Sequence, residues 1–301
     1  MSVSDIFSSM KKESLVLGSL DRYLIDLESV DSDRAVNVNS PSAIGSCLRS
    51  QYYSRKGYPR QGNSPRSKRI LDNGTHVHLR LQEYLLKAGI LLMDEVPVVD
   101  PEYNIQGHTD GILKSGDYPN GNYELIVLEI KSANSRTFAG LKDALDKHKH
   151  QAIIYAHCLE KRRKYLRDKY PSYTSFLKDL PNRVAFYRSR YEHLKDGHKY
   201  TREEKILYQV ELHKKVDSLL YKCKNPITKV DFLYECKDTQ DIKEYEVSVH
   251  DRNGRSVLQD ALSDCQYLNE CCESDTLPDR EGKSRSCELC KYCNYKVECW
   301  N

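Results

Sequence analysis

Two short pieces of this sequence decide the fold: IQGHTDGI at positions 105–112 and LIVLEIK at positions 125–131. Both pieces are rich in the apolar and β-branched residues that are typical of strands. The polar segment 117–122 between them predicts a hairpin turn. We therefore expect two neighbouring strands, and the second is apolar enough to be central and buried.

The two predicted strands each carry a carboxylate near one end, Asp110 on the first and Glu129 on the second. Facing residues of a strand pair lie about 5 Å apart, where two carboxylates repel each other unless a cation lies between them. Oxygen ligands favour Mg²⁺ or Mn²⁺. Lys131 leaves the same strand face as Glu129, so a metal and an ammonium are predicted together, as hydrolysis of an anionic substrate requires. The alternative is a surface hairpin with a salt-bridged Glu–Lys pair.

The composition predicts a globular protein of a reducing compartment. The chain has 301 residues, of which 30% are charged and 39% hydrophobic, with a net charge of +3. This length suits one large domain or two small ones. There is no run of 18 apolar residues and no signal peptide, so we expect a cytoplasmic or nucleoid-associated protein that is neither secreted nor membrane-bound. Eleven cysteines in that setting more often bind metal than form disulfides.

The first half of the chain predicts three helices around this strand pair. Residues 1–40 form a polar N-terminal extension with a helical segment at 15–27, which packs loosely or contacts a partner. A helix follows Ser40 and carries Cys47. A second helix at 68–87 carries His78 on its inward face with Leu71, Leu81 and Leu85, whereas His76 faces elsewhere.

The second half predicts further helices and a second strand pair. A strand is expected at 95–99, before the opening pair, and a long helix at 142–167 carries Gln151 and Tyr155 on one face. Residues 170–224 predict a helical insertion that reaches over a substrate, or else a solvated helical hairpin. Strands at 230–235 and 244–249 and a helix at 255–270 lead into the C-terminal tail.

The tail reads CELCKYCNYKVEC at positions 287–299 and holds four cysteines in 13 residues. This density is a strong indication of a metal site. The tail alone supplies enough thiolates for a Cys₄ zinc site, but thiolates equally hold iron–sulfur clusters. The spacing does not decide between the two.

Taken together, these pieces resemble the RecB-like branch of the PD-(D/E)XK nuclease superfamily. They are most similar to its iron–sulfur members, such as the CRISPR-associated RecB-type exonucleases and the AddB nuclease domain. The resemblance covers about residues 41–160 and 228–301. The matching motifs are Gly-x-x-x-His at 74–78, Gly-x-x-Asp at 107–110, Glu-x-Lys at 129–131, Gln-x-x-x-Tyr at 151–155, and Cys47 with Cys290-x₂-Cys293-x₅-Cys299. Cys287 departs from the family pattern.

The resemblance implies an α/β fold with a restriction-endonuclease-like core. A mixed central sheet flanked by helices would fill a nuclease domain at 41–301, with the insertion and the cysteine cluster appended. His78, Asp110, Glu129 and the Ile130 carbonyl would bind Mg²⁺ or Mn²⁺, and Lys131 would orient the attacking water. The resemblance further implies one 4Fe–4S cluster on four cysteines, with Cys287 dispensable; these four are Cys47, Cys290, Cys293 and Cys299.

The expected partner is DNA, single-stranded or with free ends. Between Arg49 and Arg69 there are seven basic residues and no acidic one, which suits contact with phosphates. The expected DNA-contacting residues are Arg49, Tyr52, Tyr53, Arg55, Lys56, Arg60, Gln151 and Tyr155. The tyrosines would stack on unpaired bases. A further protein partner could bind residues 1–40 or the insertion.

We therefore expect a DNA exonuclease acting in recombination, repair, replication or CRISPR-type DNA processing. Two other hypotheses stay open at this point. One is a DNA-binding or adaptor module of the same fold that does not cut. The other is a structural zinc protein whose tail recruits partners.

Overall fold

The computed structural model describes residues 15–29, 37–117, 122–197 and 199–301. Its centre is a five-stranded sheet in the order β1-β2-β3-β4-β5. The strands are β1 (Leu91–Asp100), β2 (Ile105–Asp117), β3 (Asn122–Ala133), β4 (Lys229–Cys236) and β5 (Ile242–Ser248). The β3–β4 pair is parallel and the other three pairs are antiparallel. The predicted mixed sheet is confirmed, and most of the predicted turn (118–121) lies outside the described residues.

Helices precede, cover and follow this sheet. They are α1 (Leu15–Ser29), a 3₁₀ turn (Pro41–Ala43), α2 (Leu48–Arg55), α3 (Pro65–Lys87), α4 (Ser135–Gly140), α5 (Asp146–Lys169), α6 (Tyr173–Arg190), α7 (Arg202–Lys222), α8 (Arg252–Glu273), α9 (Glu288–Lys291) and α10 (Lys296–Trp300). The connection between the parallel strands β3 and β4 therefore contains α4, α5, α6 and α7, since parallel strands need a crossover. Among the described residues, no helix is long and apolar enough to cross a membrane.

The sheet separates two apolar layers because successive residues of a strand point to opposite faces. In β3, Leu125 and Val127 belong to the layer that contains α5, whereas Ile126, Leu128 and Ile130 belong to the layer that contains α3. Helix α3 contributes buried Val77 and Leu81 to the second layer. The result is a helix–sheet–helix sandwich.

The segment predicted as an insertion contains α6 and α7, which pack on each other, and α7 also packs on α5. Their shared anchor is the fully buried Asp217, whose carboxylate accepts hydrogen bonds from Arg162 of α5 (2.7 Å) and Arg183 of α6 (2.6 Å). Both guanidinium groups hold the pKa of Asp217 below its usual value against the opposing effect of burial. The insertion is thus fixed to the core by buried ion pairs.

Three local predictions were wrong. The helix expected from 142 begins at Asp146, because Leu145 has an extended backbone and precedes the first helical residue. Cys47 does not lie on α2 but immediately before it, as the N-cap residue. Leu71 is exposed rather than inward, since the apolar stripe of α3 reaches the sheet only from Val77 onward.

Candidate active site

The sheet opens where Asp110 and Glu129 meet. The β2–β3 ladder ends at the pair Gly111–Leu128, so the next opposed residues are the two carboxylates. Beyond that pair, side chains replace ladder hydrogen bonds. The Ile130 amide donates to Asp110 Oδ2 (2.6 Å), and the Thr109 hydroxyl donates to the Leu128 carbonyl (2.8 Å). The two strands are therefore neighbours, as expected, and their backbone hydrogen bonding stops at the candidate site.

Two glycines of β2 allow neighbouring segments to close on this opening. A Cβ at Gly107 would lie 2.8 Å from Pro41 Cδ of the 3₁₀ turn. A Cβ at Gly111 would lie 2.6 Å from Leu91 Cδ1 and 3.0 Å from the Met93 carbonyl of β1. Both contacts are too short for any residue other than glycine without a rearrangement.

His78 reaches the opening from α3. Its Nδ1 lies 3.0 Å from Asp110 Oδ1, whereas His76 is exposed on the other side of the helix. Burial alone lowers the pKa of His78, but the hydrogen bond and negative charge of Asp110 outweigh burial, so the pKa is raised. Gln82, one turn further along α3, donates to the Asp110 carbonyl (2.8 Å). The assignment of the inward histidine from the helix period agrees with this geometry.

Glu129 is the most confined of these groups. Its side chain is 2% exposed, and one oxygen, Oε1, accepts a hydrogen bond from Lys131. The other oxygen, Oε2, is buried and makes no hydrogen bond. Burial and the negative charge of Asp110 raise the pKa of Glu129 to about 8, against the opposing charges of Lys131 and His78. A cation beside Oε2 would relieve both effects.

An imidazole and two carboxylates are a suitable donor set for Mg²⁺ or Mn²⁺ by type and by charge. Among the described residues, however, no three His, Cys, Asp or Glu side chains converge closely enough to hold a metal ion. Hydrogen bonds occupy the positions instead: Asp110 bonds to His78 and the Ile130 amide, and Glu129 bonds to Lys131. Metal binding would therefore exchange these hydrogen bonds for metal–oxygen bonds.

Lys131 is held from the other layer by α5. Its ammonium donates to Gln151 Oε1 (3.1 Å), and Gln151 Nε2 donates to the Tyr155 hydroxyl (3.1 Å). Tyr155 is buried, and burial raises its pKa well above the usual value. The two α5 residues thus orient the ammonium, and their expected contact with DNA stays a prediction.

Sequence reasoning missed a third carboxylate, Glu95 of β1. The β1–β2 register places it opposite Asp110, between the pairs Asp94–Gly111 and Val96–Thr109. Its φ of +44° is unusual for a residue with a side chain. Gln82 Nε2 lies 3.4 Å from Glu95 Oε1, so the same side-chain amide contacts the Glu95 carboxylate and the Asp110 backbone carbonyl. The available signal was an Asp-Glu pair inside an otherwise apolar strand.

It also missed a histidine–tyrosine pair beside Lys131. Tyr234 of β4 is paired with Lys131 in the parallel register, and its hydroxyl lies 2.6 Å from His148 Nδ1. Burial and the positive charge of Lys131 lower the pKa of His148 to about 3. The sequence could have indicated His148, because it lies three residues before Gln151 and therefore on the same side of α5.

The cysteine tail lies against α2 and α8. All eleven cysteines are free thiols. Cys293 Sγ lies 3.6 Å from Ser50 Oγ of α2, and burial, with a smaller effect of Cys293, raises the pKa of the Cys47 thiol. A Cβ at Gly282 would lie 2.4 Å from Cys290 Sγ and 3.2 Å from Cys287 Sγ. The structure therefore brings Cys47 to the tail and pairs Cys287 with Cys290.

This arrangement fits a thiolate-bound metal or cluster by donor type. Gly282 leaves space directly beside two sulfur atoms, and the aromatic residues Tyr53 and Tyr295 (ring centroids 5.9 Å apart) pack next to the tail. Nevertheless, in the part of the chain that the structure describes, no three thiols converge on one point. Zinc and iron–sulfur therefore both remain compatible with the residues.

Part of the predicted DNA surface is wrong. Tyr52, Tyr53 and Arg55 are buried, because α2 packs on α8 and the tail. The Tyr52 hydroxyl donates to Asp275 (2.9 Å), and the Arg55 guanidinium donates to Asn39 and Asn269 (2.8 Å each). The other basic side chains of this segment lie further out: Arg49 donates to the Pro278 carbonyl (2.7 Å), Lys56 pairs with Asp275 (2.7 Å), and Arg60 is exposed.

Comparisons with known proteins name no family for this chain. No family model matches it, and no curated protein matches it. A solved structure described as "Crystal structure of SSO0001" is similar over 95% of this chain and 96% of that chain, with 16% sequence identity and a TM-score of 0.42. A similarity of this size carries no argument about function.

Proposed function

We propose that this chain is a metal-dependent deoxyribonuclease that hydrolyses phosphodiester bonds at DNA ends or in single strands. One observation carries the proposal. The carboxylate of Glu129 is almost fully buried, has an oxygen without a hydrogen bond, and lies beside Asp110 and Lys131 where the sheet opens. A buried acid with incomplete partners is unfavourable for stability, which supports a catalytic or metal-binding role.

The residues of the opening have distinct roles in this proposal. His78, Asp110 and Glu129, with the Ile130 carbonyl, would hold the metal. When bound, Mg²⁺ or Mn²⁺ lowers the pKa of a coordinated water and neutralises negative charge on the phosphate. Lys131, released from Glu129, would orient the attacking water and stabilise the developing charge. Gln151 keeps that ammonium at the opening through its 3.1 Å hydrogen bond.

We assign a structural role to the cysteines. Cys47, Cys290, Cys293 and Cys299 would hold one 4Fe–4S cluster that fixes the tail to α2, and Zn²⁺ is the alternative occupant. Iron and sulfide analysis with a visible spectrum separates the two, because a zinc protein is colourless. The proposed setting is DNA recombination, repair, replication or CRISPR-type processing, with a further protein partner at residues 1–40 or on the insertion.

The test is a cleavage assay on end-labelled single-stranded, double-stranded and circular DNA, with Mg²⁺, Mn²⁺ or EDTA. We expect cleavage of the linear substrates only, and none in EDTA. His78→Ala and His76→Ala form a matched pair on one helix. His78→Ala should impair cleavage, whereas His76→Ala should behave as the wild type. Cleavage in EDTA, or equal loss in both variants, would contradict the proposal.

A further inference from the structure

We propose that the cleft between the core and the insertion binds a short segment of single-stranded DNA whose bases stack on Tyr200 and Tyr208. This inference rests on the proposed function, because it names the strand that would reach the carboxylates. The resemblance that motivates the nuclease assignment does not cover the insertion, and both tyrosines belong to the insertion.

The cleft lies beside the candidate active site, and Gln151 is the residue that links the two. The volume of the cleft is about 1150 Å³, and its lining includes Gln151 and Tyr155 of α5 and His108 of β2. Gln151 accepts a hydrogen bond from Lys131, so a ligand that contacts Gln151 in the cleft lies one residue away from the ammonium of the site. Clefts for small molecules enclose about 300–1,000 Å³. This one is large enough for a longer ligand.

The insertion presents one row of side chains to this cleft. Tyr200 immediately precedes the N-cap of α7, and Glu204, Lys205, Tyr208 and Gln209 follow on α7 itself. On α7, Glu204 and Tyr208 are four residues apart, as are Lys205 and Gln209, and this spacing places each pair on one side of the helix. The row therefore runs along the cleft rather than crossing it at one point.

Four tyrosines of the insertion form two contrasting groups. Tyr187 and Tyr191 are buried, and their rings pack beside His213, with centroid distances of 4.0 and 5.7 Å. Tyr200 and Tyr208 are 51% and 58% exposed, although both line the cleft. The first group holds the insertion together. The second group exposes aromatic surface to a ligand, and the Lys199 ammonium lies 5.1 Å from the centre of the Tyr200 ring.

The charges of the cleft favour bases over phosphates as the recognised groups. Lys205 donates to the Lys195 carbonyl (3.0 Å), and Glu204 accepts from the Thr201 amide (2.8 Å) in the cap of α7. Arg55 donates to three asparagines. These three charged side chains therefore serve the fold, which favours stacking on aromatic rings as the main mode of recognition. Stacking of this kind requires unpaired bases, which a duplex does not offer.

The insertion is also anchored to the strand that carries Asp110. His108 Nε2 of β2 lies 2.8 Å from Gln209 Oε1 of α7, the residue after Tyr208. Asp110, which carries one of the carboxylates, lies two residues after His108 on β2. On the same strand, the side-chain amide of Gln106 donates to the Arg190 carbonyl at the end of α6 (3.4 Å). A rigid connection of this kind orients a bound strand relative to the reacting groups.

The test measures binding in EDTA, where no cleavage is expected, by fluorescence anisotropy of a labelled single-stranded oligonucleotide and a blunt duplex of equal length. The variants are Tyr200→Ala, Tyr208→Ala, their combination, and the corresponding Tyr→Phe double variant. Tyr292→Ala is the matched control, because Tyr292 is a 78% exposed tyrosine on the cysteine tail. All of these side chains are exposed, so we expect the variants to fold.

Each Tyr→Ala change should weaken single-strand binding about 5- to 150-fold, the equivalent of about 1–3 kcal/mol per stacked base. The Phe variant, the control and duplex binding should stay within about two-fold of the wild type. Single-strand affinity unchanged in the double Ala variant would overturn the inference, as would an equal loss in the Phe variant. If the wild type fails to cut DNA while the Ala variants still lose single-strand binding, the proposed function fails and the binding site stands.

Discussion

The carboxylate site and the cysteine site are carried by different kinds of secondary structure. Asp110 and Glu129 come from neighbouring strands of the central sheet, and the backbone ladder aligns them up to the last paired residues. The cysteines come from the residue before an eight-residue helix and from a tail whose two helices have four and five residues. Helices that short are not stable on their own in water.

This difference predicts what each site loses without its metal. The carboxylate site is held by hydrogen bonds within the sheet and from both helical layers, so it should stay folded when the divalent cation is removed. The cysteine site packs only a small group of apolar residues, including Tyr52, Tyr53 and Tyr295. Its order should therefore depend on a bound metal or cluster, as in other small thiolate sites.

The largest expected effect is a loss of catalysis, and it concerns the carboxylate site in the sheet. Glu129→Gln should reduce DNA cleavage by more than about 10²-fold, beyond the effect of a single misplaced contact, because a metal ligand is lost. The neutral amide replaces a buried acid whose charged form is unfavourable beside Asp110, so the thermal midpoint should be equal or higher. Glu124→Gln, at an exposed position of the same strand, is the control. More than a tenth of the wild-type activity in Glu129→Gln would contradict this role.

The next largest expected effect is a loss of stability, and it concerns the cysteine site. Cys47→Ser should lose the cluster and lower the free energy of unfolding by about 2–5 kcal/mol, as the loss of a long-range crosslink does. Cys287→Ser should keep iron and sulfide, although Cys287 lies beside Cys290. Metal analysis and denaturant unfolding of both variants test this. Full occupancy in Cys47→Ser together with loss in Cys287→Ser would show that the tail binds its metal without Cys47.

A third prediction concerns the pH dependence of the sheet region. The pKa of His148 is about 3 in the folded protein and about 6.5 in an unfolded chain. Between these values the unfolded state binds a proton that the folded state does not. His148 therefore destabilises the fold as the pH falls from about 6.5 towards 3, by at most about 1.4 kcal/mol per pH unit.

His148→Gln should consequently flatten the slope of unfolding free energy against pH below about 6.5. Urea unfolding at a series of pH values compares this variant with the wild type. Equal slopes in the wild type and His148→Gln would contradict this prediction, because they would show that the pKa of His148 is the same in the folded and unfolded states.

The parts of the candidate site that could be predicted from the sequence are those placed by the two-residue alternation of a strand or by the 3.6-residue repeat of a helix. Alternation along β2 and β3 placed Asp110, Glu129 and Lys131 together, and the helix period selected His78 over His76. What the sequence could not supply depends on partners far along the chain. The side chains of α2 turn inward because α8, about 200 residues later, covers them. Glu95 joins the site only through the register of β1 on β2, which shifts between Leu91 and Met93.

The smallest expected effect concerns the basic segment that leads from α2 to α3. Its exposed charges, Arg60 and Arg66, are candidates for phosphate contacts, whereas Arg55 is committed to asparagines inside the fold. Each phosphate contact adds about 0.7 to the slope of log affinity against log salt concentration on a single strand, and about 0.9 on a duplex. Arg60→Glu with Arg66→Glu should therefore reduce that slope by about 1.4 on single-stranded DNA and weaken DNA binding at low salt. It should leave cleavage at saturating DNA unchanged, because neither residue lies among the groups at the sheet opening. Arg252→Glu with Arg255→Glu on α8 makes the same change in net charge at another surface and should keep the slope. A slope that is the same in both double variants would show that the DNA does not follow the basic segment, and that the charge of the whole protein governs binding.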